Sequence, residues 1–166
     1  MKVLNLIYED FTNYKKPSMF IGMGTCDFKC CKEAGISPDV CQNYQLQHDF
    51  MEVSVDTIVG NYESNNISEA IVIGGLEPFN DYTSLYELVE KFREVTNDDI
   101  VIYTGYYPYE LCLSLLGLRK FDNIIVKFGR YVPDDEPRYD KLLGVELSSS
   151  NQFGMNIKGI EYDIIR

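Results

Sequence analysis

Four of the five cysteines are grouped between residues 26 and 41, and their spacing is the feature that most clearly suggests chemistry. They are Cys26, Cys30, Cys31 and Cys41. Thiolates are soft ligands that suit zinc or iron–sulfur clusters, and several must converge from one flexible segment to surround such a centre. In a reducing compartment this grouping favours metal binding over disulfides. Cys112 lies apart in an apolar helical stripe, where we expect an inert core thiol.

Two kinds of metal centre are compatible with the grouped cysteines. Three cysteine ligands would leave one iron of a cubane 4Fe-4S cluster open for chemistry, whereas a cluster with four cysteines is usually an electron carrier. The alternative is a structural zinc site made by Cys26, Cys30 or Cys31, Cys41 and the only histidine, His48. Two adjacent cysteines cannot easily reach two irons of one cluster, so the role of Cys31 stays open.

Glycines and a carboxylate follow a strongly apolar run farther along the chain. Gly74 and Gly75 would let the backbone approach a ligand closely, and Glu77 could accept hydrogen bonds from an ammonium group. The same residues also suit an ordinary turn between a strand and a helix, with Pro78 near the helix start and Asp81 as its cap. The residues alone leave both interpretations open.

A second polar group follows the next apolar run. Thr104 offers a hydroxyl group and Tyr106 a flat aromatic face, both of which suit a nucleoside. Tyrosines in loops also pack without any ligand, so this group by itself is not specific.

These groups lie between predicted strands and helices that alternate along the chain. The predicted strands cover residues 3–8, 18–22, 70–75, 100–105 and 124–129. The predicted helices cover residues 53–62, 82–96 and 109–116. The last three strands are apolar without alternation, which is typical of strands buried on both faces of a parallel sheet. The tail from residue 132 is predicted to be loop-rich, with one weak strand at 159–165.

Strands that alternate with helices predict right-handed βαβ units. A full barrel of eight such units takes about 250 residues, so this chain has room for five or six. We therefore predict an α/β fold, a partial (β/α)6 TIM-like barrel with mostly parallel strands, in a single domain that spans residues 1–166.

Composition and charge exclude several classes of function. The 15 Lys and Arg residues against 26 Asp and Glu give a net charge of -11, which repels phosphate backbones and anionic membranes. No apolar run approaches the roughly 20 residues of a membrane helix, and the first residues do not form a signal-peptide core. We expect a cytoplasmic protein that binds neither nucleic acid nor membrane.

Four short motifs occur along the chain in a characteristic order. They are Cys26-x3-Cys30, Cys41-x-Asn43, Gly-Gly-Leu-Glu-Pro at 74–78 and Tyr-Thr-Gly-Tyr at 103–106. This order resembles that of the radical S-adenosylmethionine (SAM) enzymes. The short length, the Cys-x-Asn ending and the Ser-Ser-Ser-Asn-Gln segment at 148–152 further resemble the activating enzymes of anaerobic ribonucleotide reductases.

The sequence departs from the superfamily pattern at three places. Glu33 stands where the third cysteine of Cys-x3-Cys-x2-Cys is expected, and we interpret residues 31–40 as an insertion before Cys41. Leu76 is one residue more than the usual Gly-Gly-Glu-Pro or Gly-Gly-Asp-Pro. Lys127 lies where an aspartate is common in the activases, and it either meets the SAM carboxylate or is a surface lysine at a strand end.

The resemblance implies a site and a reaction. It implies that a 4Fe-4S cluster is held by Cys26, Cys30 and Cys41. It implies that SAM is bound by Asn43, Gly74, Gly75, Glu77, Pro78, Thr104, Tyr106 and Lys127, with no catalytic side chain beyond the cluster and SAM. The cluster would cleave SAM reductively, and a glycyl radical would form on the large subunit of anaerobic ribonucleotide reductase.

An electron donor such as a flavodoxin would complete that system. Two alternatives remain: a radical SAM enzyme that acts on another protein or peptide, and a non-catalytic interaction module that binds an iron–sulfur cluster or zinc.

Overall fold

The computed structural model describes residues 1–41 and 43–159. Within them the strands are β1 (Lys2–Asp10), β2 (Ser18–Met23), β3 (Met51–Glu52), β4 (Ala70–Gly75), β5 (Asp99–Tyr103), β6 (Ile124–Phe128), β7 (Arg138–Asp140), β8 (Val145–Leu147) and β9 (Phe153–Asn156). The helices are α1 (Lys29–Ala34), α2 (Val55–Glu63), α3 (Tyr82–Val95) and α4 (Cys112–Leu118). Short 3-10 turns supplement them at Pro38–Val40, Tyr44–His48, Pro78–Asp81, Pro108–Glu110 and Ile157–Gly159.

Seven strands form one mixed sheet in the order β3-β1-β2-β4-β5-β6-β9. The central strands β2, β4, β5 and β6 are parallel to one another, whereas β1 and β9 pair antiparallel with their neighbours. β7 and β8 form a separate antiparallel pair. The predicted α/β class with mostly parallel strands is therefore confirmed, and the carboxyl ends of the central strands meet at one edge.

Different layers cover the two faces of this sheet. On one face, alternate side chains such as Ile71, Ile73 and Ile102 pack against α2, α3 and α4 in the main hydrophobic core. On the other face, Val72 and Val101 pack with Tyr14 and with residues of the tail around β7 and β8. The apolar runs lack alternation because both faces of each central strand are buried.

The longest helix forms as its sequence predicts. Leu85, Leu88, Val89 and Phe92 of α3 are all buried. The Asp81 side chain accepts a hydrogen bond from the backbone N–H of Ser84, so the predicted helix cap is present. None of the helices in the described part of the chain has the length and apolar surface that a membrane span requires.

The connections differ from the prediction of six βα units. Only three helical crossovers join parallel strands in the described residues. The other two connections do not add a βα unit, because the segment from β1 to β2 is too short for a crossover and β9 pairs antiparallel with β6. No ladder joins β3 to β9 within the described residues, so the sheet is open there and its curvature into a partial barrel stays a prediction.

The tail contains more regular structure than the sequence predicts. β7, β8 and β9 all lie in the segment that we expected to be loop-rich. The weak strand predicted at 159–165 falls outside the described residues except for Gly159, which ends a 3-10 turn.

Candidate functional site

The grouped cysteines lie in the connection from β2 to α2, at the carboxyl edge of the parallel strands. α1 begins after Phe28, whose left-handed backbone (φ 53°) turns the chain sharply at the helix start. A small buried group, which we call the cysteine cluster, consists of Phe28, Cys31 and Leu76, with Cys26, Cys30 and Cys41 packed against it. The fold thus gathers all four thiols around one apolar centre.

Burial favours the protonated form of two thiols of this cluster, those of Cys26 and Cys31. It raises the pKa of Cys26 to about 12, although a hydrogen bond from the backbone N–H of Phe28 opposes the shift. Burial and the neighbouring Cys30 raise the pKa of Cys31 to about 11. Because metals bind thiolates, loading this site would release protons.

The four side chains of the zinc alternative are not assembled around one point in the described residues. Zinc–sulfur bonds of about 2.3 Å in a tetrahedron place ligand sulfurs about 3.8 Å apart. The Sγ atoms of Cys30 and Cys31 are 3.9 Å apart, but no group of three or more Cys, His, Asp or Glu side chains in residues 1–41 and 43–159 is already arranged to hold a metal ion. His48 is exposed at the end of a 3-10 turn.

Asn43 attaches the segment that carries the grouped cysteines, residues 24–43, to the sheet. We call this segment the cysteine loop. Its side-chain Nδ2 donates a hydrogen bond of 2.7 Å to the carbonyl oxygen of Gly75, at the end of β4. Gln42, which precedes it, lies outside the described residues. One of the two amide protons of Asn43 is therefore engaged by the backbone of β4.

The paired glycines serve the close contact between β2 and β4. Gly74 and Gly75 pair with Gly22 and Met23, and Gly75 has a φ of +87°. A Cβ atom at Gly75 would lie 2.8 Å from the Cα of Gly22. The structure explains these glycines by backbone packing, while Pro78 opens the 3-10 turn that leads into α3.

Glu77 is buried beside the cysteine loop and is joined to a second predicted site residue. Its Oε1 accepts hydrogen bonds from the Thr104 hydroxyl (2.8 Å) and the Phe79 N–H (3.2 Å), and its Oε2 accepts one from the Gly105 N–H (2.9 Å). Burial raises the pKa of Glu77 to about 7, and these hydrogen bonds limit the increase. The carboxyl group is thus held in one orientation close to Cys26.

Lys127 is a buried lysine and not the surface lysine of the second interpretation. It is only 8% exposed, its Nζ donates to the carbonyl oxygen of Gly129 at 3.2 Å, and the ring of Tyr103 lies beside it. Burial lowers its pKa to about 8, while Glu77 and Cys30 oppose this decrease. A buried amine therefore lies within electrostatic reach of the carboxylate and of one cysteine.

Tyr106 connects the end of β5 to the cysteine loop. Its hydroxyl donates to Oδ2 of Asp27 at 3.0 Å and accepts from Nδ2 of Asn80 at 2.9 Å. Burial and Asp27 raise its pKa to about 12, and the hydrogen bond from Asn80 opposes the increase. The backbone N–H of Tyr106 donates to the Thr104 hydroxyl, which orders this loop further.

Two cavities adjoin Cys30. The larger, of about 230 Å³, lies between the cysteine loop and the tail and is lined by Cys30, Cys31, Ile36, Val40, Cys41, Asn43, Tyr131, Ser148 and Gln152. The smaller, of about 20 Å³, is lined by Cys26, Asp27, Lys29, Cys30, Glu77, Gly105, Tyr106 and Arg130. Cys30 therefore separates an open space near the tail from the polar strand ends.

Sequence reasoning missed a buried arginine at this edge and misplaced one cysteine. Arg130 follows β6 and binds Glu110, Glu33 and the carbonyl oxygen of Gly105. Its sequence signal is an arginine directly after the glycine that ends an apolar run.

Cys112, expected in the core, is partly exposed at the start of α4, where its Sγ lies 3.1 Å from the carbonyl oxygen of Tyr109.

The comparisons with known proteins give one family match. A search of curated proteins found no significant match. A family model described as a 4Fe-4S single cluster domain matches residues 18–152, which include the four grouped cysteines and every polar strand end described above. This match covers most of the chain, and the protein belongs to the 4Fe-4S single cluster domain family.

Proposed function

We propose that the protein is a radical SAM enzyme in which Cys26, Cys30 and Cys41 bind a 4Fe-4S cluster. The observation that carries this proposal is the packing of these three thiols around one buried centre, next to the polar ends of β4, β5 and β6. The family match supports it, because this domain is found in radical SAM-type enzymes.

The residues around the cysteine cluster fit an iron–sulfur centre and a charged cofactor beside it. Several thiols and an apolar lining suit a sulfur-bridged cluster, whose properties depend on burial and on hydrogen bonds to sulfur. Glu77 and Lys127 provide a buried carboxylate and a buried amine on the side of Cys30 that faces the strand ends. The bound cluster and SAM would supply one-electron cleavage of the sulfonium–carbon bond and the radical that results.

Glu77 is suited to hold the methionine ammonium group of SAM. A carboxylate has about four lone-pair positions, and three are used by Thr104, Gly105 and Phe79. The remaining position can accept an ammonium proton without disturbing the other hydrogen bonds. A cation there would also favour the charged form of a carboxylate whose pKa burial has raised.

Other predicted residues would orient the cofactor or the cysteine loop. Lys127 can donate to the methionine carboxylate, because its hydrogen bond to the carbonyl oxygen of Gly129 uses one of its three protons. Thr104 and the Tyr106 ring would lie along the nucleoside. Asn43 and the backbone of Gly74 and Gly75 would hold the cysteine loop against the end of β4, beneath the cofactor. Pro78 would orient the chain where it turns from β4 into α3.

For the target we propose a glycine on the large subunit of anaerobic ribonucleotide reductase, with an electron donor such as a flavodoxin, in the cytoplasm. The support is the resemblance at Cys41-x-Asn43 and at residues 148–152. Ser148 and Gln152 line the larger cavity together with Cys30 and Cys41, so that segment lies at the mouth of the proposed site. A domain of this size leaves room for a glycine delivered on a partner's loop.

The direct test is anaerobic reconstitution with iron and sulfide, followed by dithionite and SAM. We expect 5'-deoxyadenosine, and with the cognate large subunit a glycyl doublet in electron paramagnetic resonance. Cleavage without the doublet would assign another target protein. A cluster that never cleaves SAM would identify a non-catalytic module.

Glu77→Gln tests the cofactor part of this proposal. A charge-assisted hydrogen bond contributes about 1.5 to 3 kcal/mol, so the SAM dissociation constant should rise about tenfold to a hundredfold while the cluster stays bound. An unchanged dissociation constant would remove Glu77 from the SAM site.

A further inference from the structure

A network of four charged side chains, two of them buried and two partly exposed, joins the cysteine loop to the ends of β5 and β6. We call Arg130, Glu110, Glu33 and Lys29 the arginine latch. Lys29 and Glu33 lie on α1 on either side of Cys30, Glu110 ends the 3-10 turn after β5, and Arg130 follows β6. Two positive and two negative charges make the latch neutral as a whole.

The pairing of Arg130 with Glu110 is the fixed half of the latch. Nη1 and Nη2 of Arg130 each donate to one oxygen of Glu110 at 2.8 Å, and both side chains are about nine-tenths buried. Glu110 also accepts a hydrogen bond from the Tyr107 N–H. The hydrogen bonds from Arg130 lower the pKa of Glu110 to about 2, so its charge persists at all ordinary pH values.

The pairing of Arg130 with Glu33 is the looser half. Nη2 donates to Oε1 of Glu33 at 2.9 Å, while Nε lies 2.5 Å from Oε2 without the alignment of a hydrogen bond. The Glu33 side chain is 48% exposed, against 8% for Arg130. Water therefore competes for Glu33 far more than for Glu110.

α1 needs such an external attachment because little within the helix stabilises it. It has six residues, its N-cap residue Phe28 makes no side-chain hydrogen bond, and its first turn has no acidic residue. At its start, the Asp27 side chain accepts one hydrogen bond from the N–H of Lys29. Isolated helices shorter than about 12 residues are marginal in water. Lys29 adds a second attachment, since its Nζ lies 2.5 Å from Oε1 of Glu110 and 3.8 Å from Oε1 of Glu33.

We propose that Arg130 is a positioning residue for the iron–sulfur site: through Glu33 and Glu110 it fixes the helix that carries Cys30 against the ends of β5 and β6. This inference rests on the proposed function only in taking Cys30 as a cluster ligand.

Hydrogen exchange of the full, metal-free chain tests the latch without any cluster. In Glu33→Gln the backbone amides of residues 29–34 should exchange about twofold to fivefold faster than in the wild type, as for the loss of a partly exposed ion pair. Arg130→Lys, which cannot form the paired contacts, should increase exchange about tenfold or more. The strands β4 and β5 should exchange as before.

Glu94→Gln is the matched control, because it breaks the exposed pair with Lys91 on α3 and leaves the cysteine loop untouched. Glu33→Asp, which keeps the charge, should recover part of the protection. If Arg130→Lys fails to fold, Glu33→Gln alone decides. Wild-type exchange of residues 29–34 in folded Glu33→Gln would overturn the proposal.

Cluster retention gives the second measurement. Reconstituted Glu33→Gln should lose its visible absorbance to an iron chelator about twofold to fivefold faster than the wild type, and the electron paramagnetic resonance line shape of its reduced cluster should change. Glu94→Gln should match the wild type in both. If the wild type assembles no cluster, the proposed function fails while the exchange experiment still tests the latch. If Glu33→Gln retains a normal cluster at the wild-type rate, the latch fails while the proposed function stands.

Discussion

The side-chain amide of Asn43 donates a hydrogen bond of 2.7 Å to the carbonyl oxygen of Gly75, 32 residues farther along the chain. It joins the Cys-x-Asn motif to the Gly-Gly motif, although the two are far apart in sequence. Cys41 lies two residues before this contact and packs against the cysteine cluster. The position of the third proposed ligand thus depends on a carbonyl at the end of β4.

Asn43→Ala should weaken the attachment of the cysteine loop. A neutral hydrogen bond contributes about 0.5 to 1.5 kcal/mol, so we expect a decrease of about 1 kcal/mol in the free energy of unfolding, measured by urea denaturation. The reconstituted variant should also lose its cluster faster to a chelator. Asn61→Ala is the control, since the side-chain amide of Asn61 on α2 donates a hydrogen bond to the exposed hydroxyl of Tyr8. Equal retention in both variants would contradict a role for Asn43 in the loop.

The choice of cluster ligands among the cysteines is open to a direct test. Cys41→Ala should abolish the visible absorbance of the reconstituted protein, because it removes one of three proposed ligands. Cys31→Ala should retain most of the absorbance, and Cys112→Ala, on α4, serves as the control. Loss of the cluster in Cys31→Ala together with its survival in Cys41→Ala would exchange the assignments of these two cysteines.

The central strands and α3 could be predicted from sequence because their signals are local. Uninterrupted apolar runs indicate strands buried on both faces, and Leu85, Leu88, Val89 and Phe92 repeat at helical spacing. The strand β9 (Phe153–Asn156) is short and only partly buried, and it forms by pairing with β6. The antiparallel direction of β1 likewise depends on its pairing with β2 and has no local sequence signal. The sequence therefore predicts more βα units than the sheet contains.

The site could be predicted where the residue type itself carries the chemistry. Cysteines and glycines after apolar runs predicted that these residues share one edge of the sheet. The structure places them at that edge and brings Glu77 and Thr104 into contact. The arginine latch could not be predicted, because Arg130 meets Glu33 across 97 residues and its position after a strand-ending glycine does not specify these partners. Cys112 was misplaced because helical periodicity does not give the exposure of a residue at a helix end.

Gly75 and Gly60 should respond in opposite directions to the same substitution. Gly75→Ala adds a Cβ atom 2.8 Å from the Cα of Gly22 at a φ of +87°, so we expect a loss of about 2 kcal/mol or more in unfolding free energy. At Gly60, within α2, a Cβ atom meets nothing within 4 Å, and Gly60→Ala should add about 0.5 to 1 kcal/mol. Thermal or urea unfolding measures both. A neutral Gly75→Ala would show that β2 and β4 can separate without cost.

Glu77 should make the stability of the metal-free protein depend on pH in an unusual direction for a carboxylate. Burial raises its pKa in the folded chain to about 7, from 4.5 in the unfolded chain. Between these values the folded chain binds the proton and the unfolded chain does not. The free energy of unfolding should therefore fall as pH rises from about 4.5 to 7, by at most about 1.4 kcal/mol per pH unit, and then level off.

Comparison of the wild type with Glu77→Gln isolates this contribution, because glutamine does not titrate. Asp27 and Lys127 are the charged groups whose fields also act on Glu77, and both remain in the variant. Urea unfolding at intervals from pH 4.5 to 8 should give a difference between the two proteins that changes steadily up to pH 7 and is constant above it. Parallel curves across the whole range would mean that Glu77 ionises in the folded chain as it does in the unfolded one, and that the buried carboxylate beside Cys26 is already charged before any cofactor binds.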